Sequence, residues 1–170
     1  RSPSRGLGDV YKRQIYMITK KMLCFDMDGT IADLYAVPNW LEKLRKGDPS
    51  PFQDAAPMWD MKALRNALLN AINKGWEVRV ITWLPPESPP EYKKAVTAAK
   101  KEWLARHKFP AHKCHCVAYG TTKAKCVFRS FYEPPFILFD DNDKIRNGWH
   151  LGDTVDPQTT NIIEYINNLD

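Results

Sequence analysis

The chain has 170 residues, 44% of them apolar, and carries 25 lysines and arginines against 20 acids, a formal net charge of +5. Arg1, Arg5, Lys12 and Arg13 against Asp9 place +3 of that charge in the first fourteen residues and leave +2 for the rest, so general nucleic-acid binding through a basic surface is not expected. No apolar run approaches the ~18–20 residues of a membrane span, and the cysteines Cys24, Cys114, Cys116 and Cys126 form no disulfide framework, which points to a cytoplasmic setting.

The stretch Ser4–Gln14 resembles a translated sequencing-library adapter. Residues 1–14 are therefore set aside as a disordered, artefactual leader, and residues 17–170 are read as one domain starting at Met17 or Met22.

The first strong element is the apolar run Met22–Phe25, which reads as a buried parallel strand and ends in Asp26-Met27-Asp28-Gly29-Thr30. Gly29 turns the chain off the sheet, so the strand end presents Asp26 and Asp28 together. Open α/β sheets bind ligands at that edge. Two carboxylates there repel by roughly 4 kcal/mol at 4 Å and an effective dielectric of 20, a cost that a bound cation offsets.

An insert over about 31–60 follows, punctuated by Tyr35, Pro38, Trp40, Pro49, Pro51, Phe52, Pro57 and Trp59. Asn39 is expected to cap a short helix through Lys46, ended by Gly47. Because the insert leaves the sheet beside the two acids, it is a candidate lid or small cap. The alternative is a structural loop packed by its own aromatics.

A helix is expected over Met61–Lys74, with Met61, Leu64, Leu68 and Ile72 on one face and Gly75 at its end. Trp76–Trp83 reads as the second strand and carries Thr82 near its end. The proline-rich Leu84–Pro90 opens a long helix, with Ser88 as cap and Pro89 in the first turn. It runs to about His107 with Tyr92, Val96, Ala99 and Trp103 inward. Cys114–Tyr119 is the third strand, and Gly120-Thr121-Thr122-Lys123 leads into a helix through about Phe131. Pro135–Asp140 is the fourth strand, with Asp141–Lys144 starting a turn or short helix. A fifth strand near Thr154–Val155 and a helix over about Thr159–Asn168 close the chain.

His112-Lys113-Cys114-His115-Cys116 invites a zinc reading, but it lacks paired ligand spacing and is taken as strand. Gly120–Lys123 lacks the glycine spacing of a P-loop. Strands alternating with helices imply right-handed crossovers and a parallel sheet. The expected class is α/β, a three-layer Rossmann-like domain with a parallel five-stranded sheet and a short cap insert.

Four sites then fall on one sheet edge in order: Asp26 with Asp28, Thr82, Lys123, and Asp140 with Asp141. From Lys21 onward this order resembles the four motifs of the haloacid-dehalogenase-like phosphohydrolases, the first being Asp-x-Asp-Gly-Thr. The resemblance implies Asp26 as nucleophile and Asp28 as general acid/base, with Thr82 donating to a phosphoryl oxygen and Lys123 adding positive charge. It implies Mg²⁺ held by Asp26, the backbone carbonyl of Asp28, and one or both of Asp140 and Asp141.

Asp26-Met27-Asp28-Gly29-Thr30-Ile31-Ala32-Asp33, the aromatic insert and Tyr119-Gly120-Thr121-Thr122-Lys123 look most like the small deoxyribonucleotide 5′-nucleotidase branch and its phage and bacterial relatives. That likeness implies a phosphatase acting on a small phosphorylated substrate, a nucleotide, with Tyr35, Trp40, Trp59 and Trp83 as candidate base-stacking residues. The insert is shorter than the helical cap of the better-known nucleotidases. A phosphorylated nucleic-acid end or a phosphoprotein therefore stays open as substrate. A non-catalytic phosphate- or partner-binding module on the same fold is the alternative of another class.

Overall fold

The computed structural model describes residues 18–170. The expected leader and the Met17 start lie outside the described residues.

The elements run β1 (Ile18–Thr19), β2 (Lys21–Phe25), β3 (Ala32–Asp33), a 3₁₀ turn (Leu34–Ala36), α1 (Trp40–Arg45), α2 (Ser50–Asp54), β4 (Ala56–Pro57), α3 (Met61–Asn73), β5 (Trp76–Trp83), α4 (Pro90–Arg106), β6 (Lys113–Val117), α5 (Lys123–Val127), β7 (Tyr132–Glu133), β8 (Phe136–Phe139), α6 (Asp143–Asn147), β9 (Thr154–Val155) and α7 (Ile162–Asn167). The main sheet has the order β6-β5-β2-β8-β9 and every pairing in it is parallel. All five expected strands are in it.

The sheet is largely apolar on both faces, as a covered parallel sheet must be, with the Glu77–Arg79 ion pair on the second. One face presents Leu23, Phe25, Val78, Val80, Ile137 and Phe139 to α3, α4 and α7. The other presents Met22, Cys24, Ile81, Phe136 and Leu138 to α5 and to Trp149 and Leu151. The result is three layers. Connections from β2 run outward through β5 to β6, and those from β8 run the other way to β9. The direction in which strands are added therefore reverses between β2 and β8, where a crevice opens at the carboxyl ends.

Helix α3 follows the sequence closely. Asp60 accepts from the amides of Lys62 and Ala63, Leu64, Ala67, Leu68 and Ala71 are buried, and Gly75 takes φ +96° just past the end. Other boundaries move for local reasons. Asn39 precedes α1 in the left-handed region and makes no side-chain cap bond. Ser88 is not the cap of α4, because its hydroxyl is turned back onto the Pro85 carbonyl at 2.8 Å, and the helix starts at Pro90. Helix α5 stops at Val127, where Phe128 turns extended, and α7 starts only at Ile162, where Asn161 accepts two backbone amides. Two small pairings were not expected: β1 with β7, and β3 with β4.

The insert is fastened to α4 rather than swinging free of it. The indole of Trp103 donates to the Ala55 carbonyl at 2.7 Å, Tyr92 donates to the Asp48 carbonyl at 3.2 Å, and Arg106 donates to the Gln53 carbonyl. Leu34 and Phe52 pack against Leu84, Tyr92, Val96 and Ala99. Trp59 donates to the Thr30 carbonyl at 2.8 Å, which ties the end of the insert to its start.

Candidate active site

Parallel register builds the floor of the site. Phe25 pairs with Phe139, and the Asp26 amide donates to the Phe139 carbonyl at 2.8 Å. Asp26 and Asp140 therefore leave adjacent strands side by side. Each follows an apolar strand that burial holds in place. Asp26, Asp140 and Asp141 each bring a carboxylate oxygen to within 4.8 Å of the others. Among the described residues this is the one such cluster of potential metal ligands, and Cys114, His115 and Cys116 form none.

Lys123 bridges the acids. It is buried at the start of α5, and its ammonium donates to Asp26 Oδ1 and Asp140 Oδ2, both at 2.7 Å. Burial alone would lower the Lys123 pKa, but the charges of Asp26 and Asp140 outweigh it and hold it above the ordinary lysine value. The other Asp140 oxygen accepts the Asn142 amide at 2.9 Å. Burial, then the charge of Asp26, pushes Asp140 up to about 6 against the pull of Lys123. Burial and the charges of Asp26 and Asp140 push Asp141 up to about 7. Three acids around one lysine leave an excess of negative charge.

Such an oxygen-only set fits Mg²⁺, which prefers hard carboxylate ligands and keeps several waters. The raised carboxyls are groups a divalent cation would relieve.

Asp28 is half-buried and also raised, first by burial and then by Asp26, with Lys100 acting the other way. Thr82 is fully buried; its Oγ1 accepts Lys100 Nζ at 2.7 Å, and it does not line the cleft. The same Lys100 Nζ donates to Asp28 Oδ2 at 2.5 Å. Sequence reasoning missed Lys100. The signal was there: it lies four residues after Val96 and three before Trp103, on the inward stripe of α4. A lysine on such a stripe is easily assigned to solvent, yet this one has no exposed surface.

Gly29 makes the close approach possible. It sits at φ +80°, and a Cβ there would come within 2.5 Å of Asp141 Oδ2 and 2.8 Å of Tyr35. Gly29→Ala should strain the turn and push Asp141 away. Mg²⁺ titration is expected to show affinity lowered by about 10-fold or more, the scale of a disturbed ligand support. Unchanged affinity would mean that Asp141 is not a ligand.

A cleft of about 680 Å³ rises from the acids. Asp26, Asp28, Lys123, Asp140 and Asp141 lie at one end. Tyr35, Trp40, Leu41, Leu44 and Arg45 form one wall, and Trp83 to Pro89 with Tyr119 form another. Tyr35 meets Trp40 edge-on at 5.2 Å between centroids, and Trp83 meets Tyr119 at 4.8 Å. The structure thus brings Tyr35, Trp40 and Trp83 to the cleft. It does not bring Trp59 there, because its indole is spent on Thr30 inside the insert. Tyr119 lines the cleft, 62% exposed, and was not among the expected substrate residues.

No protein-family profile matches the chain, and no curated protein sequence does. Among solved structures, it resembles a chain of the Pnkp1/Rnl/Hen1 RNA repair complex, with 14% identity and a TM-score of 0.53. That match covers 81% of this chain and 42% of the repair-complex chain, so this chain spans less than half of its length. It also matches D,D-heptose 1,7-bisphosphate phosphatase from Burkholderia thailandensis, at 14% identity and TM-score 0.47, covering 79% of this chain and 75% of that one. The HAD domain of effector protein Lem4 from Legionella pneumophila matches at 16% identity and TM-score 0.46, covering 86% and 92%. The likeness to the repair-complex chain is one of fold.

Proposed function

We propose that the chain is a phosphomonoester hydrolase of the haloacid-dehalogenase-like kind. The observation that carries the reading is Lys123, buried between Asp26 and Asp140 with Asp141 alongside, at the floor of an open cleft. A carboxylate can attack phosphorus only where positive charge lets two anions meet. When bound by Asp26, Asp140 and Asp141, Mg²⁺ supplies Lewis-acid charge to the phosphoryl oxygens. In this reading Asp26 is the nucleophile and forms an aspartyl-phosphate. Asp28 protonates the leaving oxygen and then activates water. Lys123 neutralises the phosphoryl group, and Thr82 supports the same end of the cleft.

The aromatic walls favour a nucleoside monophosphate over a small sugar phosphate, because Tyr35, Trp40, Trp83 and Tyr119 offer flat apolar surface. A phosphorylated nucleic-acid end is the second reading, favoured by the openness of the walls and by Arg45, which has no ion-pair partner among the described residues and lies at the cleft. Turnover of p-nitrophenyl phosphate with and without Mg²⁺ tests the reaction class. A panel of nucleoside monophosphates, sugar phosphates and a 3′-phosphorylated oligonucleotide ranks the substrates. Phosphate binding without turnover of any member would favour a non-catalytic module.

Metal binding gives a second, independent readout. The folded pKa values of Asp140 and Asp141, about 6 and about 7, lie above the ordinary value of about 3.9. Between about pH 4 and 7 the folded protein therefore holds protons that the unfolded chain has lost. Metal-free stability falls as pH rises through that window. A cation takes the place of those protons, so Mg²⁺ should raise the melting temperature more at pH 7.5 than at pH 5. An equal shift at both would place the cation elsewhere.

A further inference from the structure

Lys100 is a lysine in the interior whose charge the reaction above does not use. Among the described residues it is the only lysine or arginine with no exposed surface. Its stem lies on the inward stripe of α4, and its ammonium sits 4.9 Å from the centre of the Phe52 ring. A buried ammonium is tolerated only where it is paired and hydrogen-bonded. A methionine of similar volume would pack the same space without that burden, and replacing a buried pair by apolar groups is often neutral or stabilising. The charge is therefore explained by what it holds rather than by packing.

It holds two groups. Nζ donates to Asp28 Oδ2 at 2.5 Å and to Thr82 Oγ1 at 2.7 Å. Asp28 lines the cleft, whereas Lys100 and Thr82 do not. With Oδ2 pinned, Oδ1 is the Asp28 oxygen without a side-chain partner among the described residues. With its oxygen already accepting from Lys100, Thr82 is set to use its one hydroxyl hydrogen on another acceptor.

We propose that Lys100 is a positioning residue for proton transfer by Asp28, fixing the carboxylate so that Oδ1 serves the leaving oxygen. The proposal rests on the phosphohydrolase reading. In the first step a carboxylate oxygen of Asp26 bonds to phosphorus as the ester P–O bond breaks, and the proton on Asp28 Oδ1 goes to the leaving oxygen. In the second step water bonds to phosphorus, its proton returns to Asp28, and the Asp26–phosphorus bond breaks to release phosphate. A residue that aims Oδ1 matters most where the leaving oxygen needs the proton.

The test is release of the leaving group in the first turnover, with Mg²⁺ present. Wild type, Lys100→Met, Lys100→Arg, Asp28→Asn and the double variant Lys100→Met/Asp28→Asn are compared on glycerol phosphate and on p-nitrophenyl phosphate. Lys100→Met should slow release from the alkyl ester by about 10²-fold or more, and from the aryl ester by no more than about 5-fold, since nitrophenolate leaves without help. KM should hold for both, and Lys100→Arg should recover part of the alkyl rate. In the Asp28→Asn background the Lys100→Met change should cost nothing further, as for two residues acting as one unit. Equal slowing on both esters overturns the proposal, because a merely structural role disturbs the whole site. So does an added loss in the double variant, which removes both charges and tests the idea even if Lys100→Met alone does not fold. A wild-type protein that releases neither leaving group sinks the phosphohydrolase reading itself, and the role of Lys100 with it.

Discussion

Asp26→Asn is expected to end turnover, with a loss on the order of 10⁴-fold or more, the scale seen when a covalent nucleophile is removed. The substitution keeps the shape of the side chain and one oxygen, so the fold should survive. Asp26 accepts from Lys123 just past the end of β2, and its amide is held by the Phe139 carbonyl of β8. Asp28→Asn should behave differently. In the proposed mechanism it removes the proton donor and the group that activates water, and it should cost about 10²–10⁴-fold on an ordinary ester. An activated ester needs little protonation, so transfer to Asp26 persists while hydrolysis of the intermediate slows. Rapid-quench mass spectrometry with such an ester should find a phosphate adduct on Asp28→Asn and none on Asp26→Asn. A fully active Asp26→Asn protein would sink the nucleophile assignment.

Lys123→Met should produce the second largest effect, in stability as well as catalysis. Removing the ammonium leaves Asp26 and Asp140 facing each other with nothing between them. Breaking a buried ion pair from one side costs about 3–5 kcal/mol. For a domain of this size that lowers the melting temperature by roughly 10 °C or more. Mg²⁺ should recover part of the loss, since it answers the same excess of negative charge. Lys125, two residues on and exposed, is the control: its replacement should change stability by no more than about 0.5 kcal/mol. Inhibition by inorganic phosphate should weaken in Lys123→Met and not in Lys125→Ala. Equal behaviour of the two variants would mean that the wrong lysine was assigned.

The frame was legible because of what parallel strands require. A strand covered on both faces must be largely apolar, so Met22–Phe25 and Phe136–Phe139 stand out without help from any neighbour. The acids that end them were legible for the same reason, as the first charges after a hydrophobic run. What escaped was set by tertiary contact. The β1–β7 and β3–β4 pairs are two residues per strand and have no periodicity to read. Thr82 could be placed on its strand, but not beneath Asp28, because that depends on α4 crossing over it. Lys100 shows the limit most clearly. Its position in the helical repeat was inward, while its charge argued outward, and only the presence of Asp28 and Thr82 at the facing edge of the sheet settles the conflict.

The reacting end of the cleft and its far walls are made by different kinds of structure. Asp26 and Asp140 are spaced by the β2–β8 ladder, a distance of about 4.8 Å that side-chain changes elsewhere do not alter. The walls are the 34–47 and 84–89 segments, which lie outside the strands of the main sheet. Chemistry and selectivity can therefore drift apart under mutation. Under the proposed phosphohydrolase activity, the wall segments can be exchanged, lengthened or recombined to admit new esters while the spacing of the acids is inherited intact. A library confined to those two segments is the natural starting point for changing what the protein accepts.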